Sequence, residues 1–419
     1  MRRFATALAI CLLWALSPAT AQVVTIDSCQ QWAVAQSSSN LQKQLNEQLL
    51  QVKLNDVSSH YYPTVQIDGA IGYMSPVTEL PSETPGHQPM HKDMYNVSLN
   101  LQQVVFDGLQ ATYGRKLERL LNKNEINKLD LSISQLKEQV ISMYLNLLII
   151  DKQIEILSNV EKIFQEQSDQ LRALLRAGVV YANSIAQLDV EGLKIQQQKD
   201  ELQANRESLI SSLSILTGKD LSDATFEQPE LPSVSYDLSS IRNEFAIFDN
   251  TMGSLEYQRK MHISKSLPKL SFMAIGGYGR PTYNLLNPNF DWFYVVGLKF
   301  NIPLIDWART KGVSDIIVLQ KSILESQKSD FTKGNQIAIQ EKINEIKRIE
   351  HLLVLDEEIT KKYQEIRETA NTQLLNGTIT AMDYIKLQND ETQSVTAREV
   401  HTIQLLKAKY ELLALKGLL

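Results

Sequence analysis

Cysteine is almost absent from the 419-residue chain. There are two, Cys11 and Cys29. Cys11 falls in a leader segment, so the mature chain keeps Cys29 alone and has no internal disulfide. A single small thiol near the N-terminus is read as packing rather than chemistry. Proline and glycine are also scarce, 12 and 17 residues, which removes the residues that interrupt helices. No apolar run beyond the leader approaches the ~20 residues of a membrane-spanning helix. Positive charge is in deficit: the formal net charge is −6, and −8 once Arg2 and Arg3 leave with the leader. A nucleic-acid partner would need the opposite balance. No Ser–His–Asp, Cys–His or paired-carboxylate constellation stands out, so no enzyme, cofactor or metal is expected.

The first 21 residues have the layout of a secretory leader. Arg2 and Arg3 form a positive start, residues 8–16 a short apolar run, and Ala19-Thr20-Ala21 a small-residue cleavage site. Maturation at Gln22 is expected. Cys11 follows Ile10, inside the apolar run, which does not fit a lipid-attachment site.

The remainder is written twice. Tyr95-Asn96-Val97-Ser98-Leu99-Asn100-Leu101 aligns with Tyr294-Val295-Val296-Gly297-Leu298-Lys299-Phe300. The same offset of 199 sets Asp107 on Asp306, Gly178 on Gly377, and Leu216-Thr217-Gly218 on Leu415-Lys416-Gly417. Upstream, Pro63 pairs with Pro268 and Tyr73 with Tyr278 at an offset of 205. The six-residue difference falls in one loop, between Tyr73 and Tyr95, where duplication tolerates length change. Each copy reads as a helix, two strands, a very long helix, a turn and a return helix. The first repeat spans 22–218, with strands near 63–74 and 94–105, a long helix near 108–176 and a return helix near 182–217. The second spans 238–419, with strands near 268–279 and 291–303, a long helix near 307–375 and a return helix near 381–417. Residues 219–237, with Pro229 and Pro232, read as a connector.

The strands alternate with a period of two. Val65, Ile67, Gly69, Ile71 and Tyr73 share one face, with Thr64, Gln66, Asp68, Ala70 and Gly72 opposite. Tyr95, Val97, Leu99 and Leu101 alternate with Asn96, Ser98, Asn100 and Gln102. The second copy repeats this with Leu270, Phe272, Ala274 and Tyr278, then Trp292, Tyr294, Val296, Leu298 and Phe300. Each run reaches the 9–11 residues of a tilted membrane strand. Tyr73, Tyr95, Tyr278, Trp292 and Tyr294 cluster at the loop ends, where an aromatic girdle would sit. The other reading of the same alternation is a soluble antiparallel sheet packed on one face. Four strands cannot close a barrel, and lipid does not tolerate open edges, so a membrane version must oligomerise.

Between 107 and 178 there is no proline. Leu129, Ile133, Leu136, Val140, Met143, Leu147, Ile150, Ile154 and Leu157 alternate steps of four and three, a heptad seam that Phe164, Leu171 and Leu175 continue. The second copy carries a weaker seam, Ile339, Ile343, Ile346 and Leu353, interrupted by Gly334. Some 65 residues make a rod of roughly 100 Å. Asp107 and Asp306 are expected as N-caps, and Gly178 and Gly377 as C-terminal glycines. Each return helix covers half of its rod. The incoming helices, 26–59 and 238–266, are expected to cover the other half.

The ordered carriers are now in place: strand pairs led by Pro63 and Pro268, junctions Val105-Phe106-Asp107-Gly108 and Leu304-Ile305-Asp306-Trp307, and tips Ala177-Gly178-Val179 and Asn376-Gly377-Thr378. Across essentially the whole mature chain this resembles the TolC family of outer-membrane efflux and secretion ducts. The resemblance implies a mainly α fold with membrane β: a homotrimer with a twelve-stranded outer-membrane β-barrel, four strands per chain, continued by a long coiled-coil periplasmic tunnel. The chain would be a passive conduit. Its partners would be a periplasmic adaptor (membrane fusion) protein, an inner-membrane pump of RND or ABC type, and the lipid bilayer. The entrance tips would carry adaptor docking through Gly178, Val179, Ser184, Leu374, Gly377, Thr378, Ile379 and Asp383. The lipid face would comprise Val65, Ile67, Tyr73, Tyr95, Val97, Leu99, Phe272, Tyr278, Trp292 and Tyr294. The Tyr–Arg–Asp network that closes some members is not matched, because its places hold Leu374, Ile379 and Ser184.

His87 and His91 are spaced as helical metal ligands, but Pro85 and Pro89 disfavour a helix and two ligands do not make a site. Gly276, Gly277 and Gly279 resemble a phosphate loop only in spacing, because they lie inside a strand. The alternative function is a structural or adhesive coiled-coil surface protein, which would need no barrel.

Overall fold

The computed structural model describes residues 23–77, 90–176, 182–284, 287–303 and 307–419, the side chains of 307–309 excepted. The leader, His87, Ala177, Gly178, Val179 and the Leu304-Ile305-Asp306 junction lie outside the described residues.

Thirteen elements follow one another: β1 (Val23–Val24), α1 (Ile26–Gln36), α2 (Ser39–Ser59), β2 (Thr64–Tyr73), β3 (Asp93–Phe106), α3 (Gln110–Arg176), α4 (Ala182–Thr217), β4 (Thr225–Phe226), α5 (Asn243–Ser264), β5 (Lys269–Arg280), β6 (Asp291–Asn301), α6 (Trp307–Leu375) and α7 (Ala381–Lys416). Helices α3 and α6 contain 67 and 69 residues. The expected first incoming helix is two helices, because the chain is extended at Ser37, the C-cap of α1. The connector is partly structured, since β4 pairs in parallel with β1.

Two compact units divide the chain, each drawing on both repeats. The first takes the chain up to Leu41 with Leu129–Asn243 and Phe331–Leu419. One of its cores joins Val24, Ile26, Cys29 and Ala33 to Val140, Tyr144, Leu147, Leu213 and Ile403. The fully buried Tyr144 hydroxyl donates to the Val24 carbonyl at 2.7 Å and reaches the Glu227 carbonyl at 2.6 Å, tying β1 and the segment after β4 to α3. Cys29 is buried in the same core, which pushes its thiol up to about 11, so the lone cysteine is an unreactive packing residue. A second core joins Ile339, Ile343, Ile346 and Ile349 of α6 to Leu405, Ala408 and Leu412 of α7. Ile339, Ile343 and Ile346 sit on the heptad seam legible in the sequence, and Ile349 lies off it. Cross-helix ion pairs Arg206–Asp151 (2.6 Å) and Lys342–Glu411 (2.6 Å) flank the seams.

The second unit, Gln42–Lys128 with Glu244–Asp330, holds the four-stranded sheet of β2, β3, β5 and β6 and most of α2 and α5. Helix α2 meets α3 through a hydrogen bond from Asn122 to the Asn46 carbonyl (2.7 Å) and the ion pair Lys53–Glu118 (3.0 Å). Helix α5 meets α3 through Asn124–Thr251 (2.9 Å) and α6 through Lys328–Asp249 (2.6 Å).

The passage from β3 to α3 is sharp. Gly108 and Leu109 both take positive φ, and a Cβ on Gly108 would sit 2.8 Å from the Ser264 carbonyl oxygen, so only glycine fits there. Asp107 is therefore not the N-cap residue by position, because α3 starts at Gln110. Its carboxylate still accepts from the Ala111 N–H at 2.6 Å and satisfies one donor of the first turn. Burial, together with the neighbouring Asp107 carboxylate, pushes the Tyr61 phenol up to about 12.

Candidate functional site

Strands β2, β3, β5 and β6 form one antiparallel sheet in the order β2-β3-β5-β6. Directly opposed residues share a face, so the register decides which side chains stand together. Val65 lies across from Leu101, Ile67 from Leu99 and Ile71 from Tyr95. Val97 lies across from Tyr278, Leu101 from Ala274 and Gln103 from Phe272. Phe272 then faces Leu298, and Tyr278 faces Trp292. The two copies thus align their apolar positions into one continuous surface. Val65, Ile67, Tyr73, Tyr95, Val97, Leu99, Phe272, Tyr278, Trp292 and Tyr294 all belong to it. Only Phe272 among them is half-buried, while Ile71 and Tyr294 are each 83 % exposed. An apolar surface of this extent left facing outward calls for an apolar surrounding.

At the loop end of this face the aromatic residues cluster. The Tyr278 ring lies 5.8 Å from Phe290 and 5.2 Å from Trp292, and Tyr95 lies 6.0 Å from Phe290. The Arg280 guanidinium stands 4.7 Å over the Phe290 ring and pairs with Asp93. The sequence reading missed Phe290 and this ion pair, since neither lies on the alternating stretch. The opposite face carries Gln66, Asp68, Asn96, Ser98, Asn100 and Gln102 in the first copy, with Asn100 donating to Asp68. In the second copy it is mixed, because Met273, Ile275, Phe293 and Val295 stand beside Gly277, Gly279 and Lys299. A Cβ at Gly277 would lie 2.5 Å from the Val97 carbonyl oxygen, so the glycines of β5 serve close strand approach.

Strands β2 and β6 are the two edges, each with one unpaired side. The helices attached to those edges carry exposed apolar stripes. On α2, which leads into β2, these are Leu45, Leu49 and Val52. On α6, which follows β6, they are Ile316, Leu319 and Ile323. Both stripes have heptad spacing.

The turn after α6 is built for tightness. Gly377 takes φ 68°, the Gly377 N–H reaches the Leu374 carbonyl at 3.0 Å, and the Thr378 N–H reaches Gln373 at 2.9 Å, a Schellman closure. Thr380 then caps α7 reciprocally with Asp383, its hydroxyl oxygen accepting from the Asp383 N–H (3.2 Å) while the Thr380 N–H donates to the carboxylate (3.1 Å). The hydrogen bonds from Thr380 hold the Asp383 carboxyl below its usual range. Gly377, Thr378 and Asp383 are exposed, whereas Ser184 and Ile379 are half-buried. Leu374 differs from the docking expectation: at 2 % exposure it is core, packed with Phe164, Leu171, Ala381 and Tyr384.

Beside that core lies a polar group the sequence reading missed. Arg367 Nε donates to Glu391 at 2.9 Å, and Gln388 donates to the same carboxylate at 3.3 Å. Gln167 donates to Asn371 at 2.7 Å, and Thr360 is buried. The signal was available: Ile339, Ile346, Leu353, Thr360, Arg367 and Leu374 lie seven apart, so the seam carries Thr360 and Arg367 inward.

No protein-family model and no curated protein matches the sequence. Solved structures do match. The outer membrane protein VceC of Vibrio cholerae superposes with a TM-score of 0.72 at 12% identity, over 94% of this chain and 96% of that one. The CmeC outer membrane channel of Campylobacter jejuni gives 0.68 at 15% identity, over 94% and 85%. The MtrE outer membrane channel of Neisseria gonorrhoeae, in its open state, gives 0.68 at 12% identity, over 94% and 89%. The chain therefore has the fold of these outer-membrane channels.

Proposed function

We propose that this chain is the outer-membrane exit duct of a tripartite efflux pump or a type I secretion system, a passive conduit without catalytic chemistry. The observation that carries this reading is the sheet: four strands, an outward face that is mostly apolar across all four, and two unpaired edges. Each feature is costly for a soluble monomer. In lipid the apolar face is favourable, but unpaired edge N–H and C=O groups are not, so the edges must pair with other copies. The stripe on α2 and the stripe on α6 adjoin opposite edges, which suits a head-to-tail contact that closes a ring. Three copies give twelve strands, enough for a lumen. The likeness to outer-membrane channels supports the same reading.

On this reading the helices below the barrel form a periplasmic tunnel. The exposed Gly377 and Thr378, with Gly178 as their counterpart in the first copy of the sequence, meet a periplasmic adaptor that belongs to an inner-membrane pump. Opening is a change in helix packing at the tips, biased by the adaptor's preference for the open form. The first test is the native mass of the protein extracted from outer membranes in detergent. A trimer is expected. A monomer, or a protein that never enters the membrane fraction, would overturn the duct and favour a coiled-coil surface protein.

A further inference from the structure

The inner face of the sheet is not uniform along the strands. At the helix-side end stand Lys269 of β5 and Lys299 of β6, one row apart, since Lys269 pairs with Asn301 and Ser271 with Lys299. Both line one cavity of about 460 Å³, together with Gln102, Val104, His60 and Asp107. The carboxylate in that set, Asp107, accepts the Ala111 N–H through one oxygen while its other oxygen has no hydrogen-bond partner, and neither lysine belongs to an ion pair among the described residues. The acidic groups of the inner face lie towards the loops. Asp68 accepts from Asn100, and Asp291 accepts from Asn287 at 3.1 Å. Lys299 and Asp291 are eight residues apart on β6, about 27 Å at the rise of an extended strand. The positions matching Lys269 and Lys299 in the first copy are Thr64 and Asn100, both neutral. The positive charge is therefore no requirement of the scaffold that the duplication repeats.

We propose that Lys269 and Lys299 form a basic collar at the helix-side mouth of the barrel that selects anionic over cationic cargo. This rests on the duct reading, which turns the polar face inward and multiplies each lysine by the number of copies. Unpaired charges of one sign lining a walled aqueous passage raise the local concentration of counter-ions. At 0.1 M salt the field of each lysine reaches ~10 Å into the passage.

The experiment is the reversal potential of the purified protein in planar bilayers under a KCl gradient near that salt concentration. The wild type should favour chloride. K269Q/K299Q should lose that preference, the anion-to-cation ratio falling about sevenfold for each kT of mouth potential removed. K269R/K299R should retain it, and D68N should move it towards chloride. The single variants K269Q and K299Q, each expected to give part of the shift, serve if the double variant fails to assemble. Conducting channels without chloride preference in the wild type, or with equal reversal potentials in wild type and glutamine variants, would overturn the collar and leave the duct standing. Assembled protein that never conducts, even when the tip seam is loosened by Glu391→Ala, would remove the duct, and the collar with it.

Discussion

Two cores in the same unit are built on opposite rules. Around Tyr144 the α3 seam positions are apolar, and the buried Tyr144 and Thr217 hydroxyls are both directed at backbone carbonyls. Around Tyr384, beside the Gly377 turn, the seam admits Thr360, Arg367, Gln388 and Glu391, and oxygens of Thr360 and Gln388 are buried without partners. Apolar burial is non-directional and strong, so the first core fixes a single packing. Polar groups in a helix seam cost stability and set register, and they leave a second arrangement closer in energy. In a duct opened from its tips, that is the end at which packing has to change.

The largest expected effect breaks the first core. Tyr144→Ala removes a fully buried aromatic side chain and both hydrogen bonds, for a loss of about 3–5 kcal/mol. Tyr144→Phe isolates the hydrogen bonds and should cost about 1–3 kcal/mol, because it strands acceptors in an apolar site. Denaturant midpoints of the assembled protein in detergent check both. Equal midpoints for wild type and Tyr144→Phe would show that the clamp on β1 is not structural.

Next comes the polar core. Glu391→Ala leaves Arg367 only the exposed Glu368 at 4.0 Å and should destabilise the ends of α6 and α7 by about 2–3 kcal/mol, below the cost of a fully buried pair because Arg367 also keeps some solvent. The paired replacement Arg367→Met with Glu391→Leu should be neutral or stabilising by about 1–2 kcal/mol. Hydrogen exchange along α6 and α7 is the measurement. In the single variant, faster exchange should be confined to the tip ends, and faster exchange around Tyr144 as well would erase the contrast between the cores. The apolar pair should also retard export if the polar layer serves opening.

Smaller still is the effect at the turn. Gly377→Ala meets no neighbouring atom within 4 Å, so only the positive φ opposes it, at about 1 kcal/mol. Gly417→Ala has the same backbone problem and also brings a Cβ within 2.9 Å of the Arg242 nitrogen, so it should cost more. Melting temperatures of the two variants in parallel test that order.

Which of these features the sequence makes legible follows from what each depends on. Period-two alternation and an unbroken heptad seam are local patterns, so β2, β3, β5, β6 and the long helices stand where those patterns run. The join between β3 and β5, which fuses two apolar faces into one, is a long-range register that alternation does not specify. The β1–β4 pair escaped because two residues per strand carry no period. Leu374 was placed at the tip surface by its distance from Gly377, yet the α6 seam, counted in sevens from Ile339, carries it inward. Tyr144 is inconspicuous in the sequence because its role lies in two carbonyls more than eighty residues away on either side.

The smallest effect is one of pH, at the two ends of α7. Beside α7's far end, Lys416 is buried and donates to Ser235 at 2.8 Å and to the Asp237 carboxylate, whose pKa is held down at about 2, first by the Lys416 hydrogen bond and then by Ser239. A carboxyl depressed in the folded state contributes stability that is present above its unfolded value, near 3.8. That contribution fades as pH falls from there through about 2, because the unfolded chain takes up the proton first. Asp383 at the Gly377 turn is likewise depressed, by Thr380, so its cap weakens in the same direction below 3.8. Asp237→Asn should therefore be less stable than wild type at neutral pH, with the difference shrinking below pH 4 and vanishing near pH 2. The Asp383→Asn difference should also close in acid, but it should register in exchange at the turn rather than in the global midpoint, because that carboxylate anchors only the first turn of α7. A gap for Asp237→Asn that stays constant down to pH 2 would mean that the carboxylate's charge contributes nothing, and that Lys416 is held by Ser235 and its packing alone.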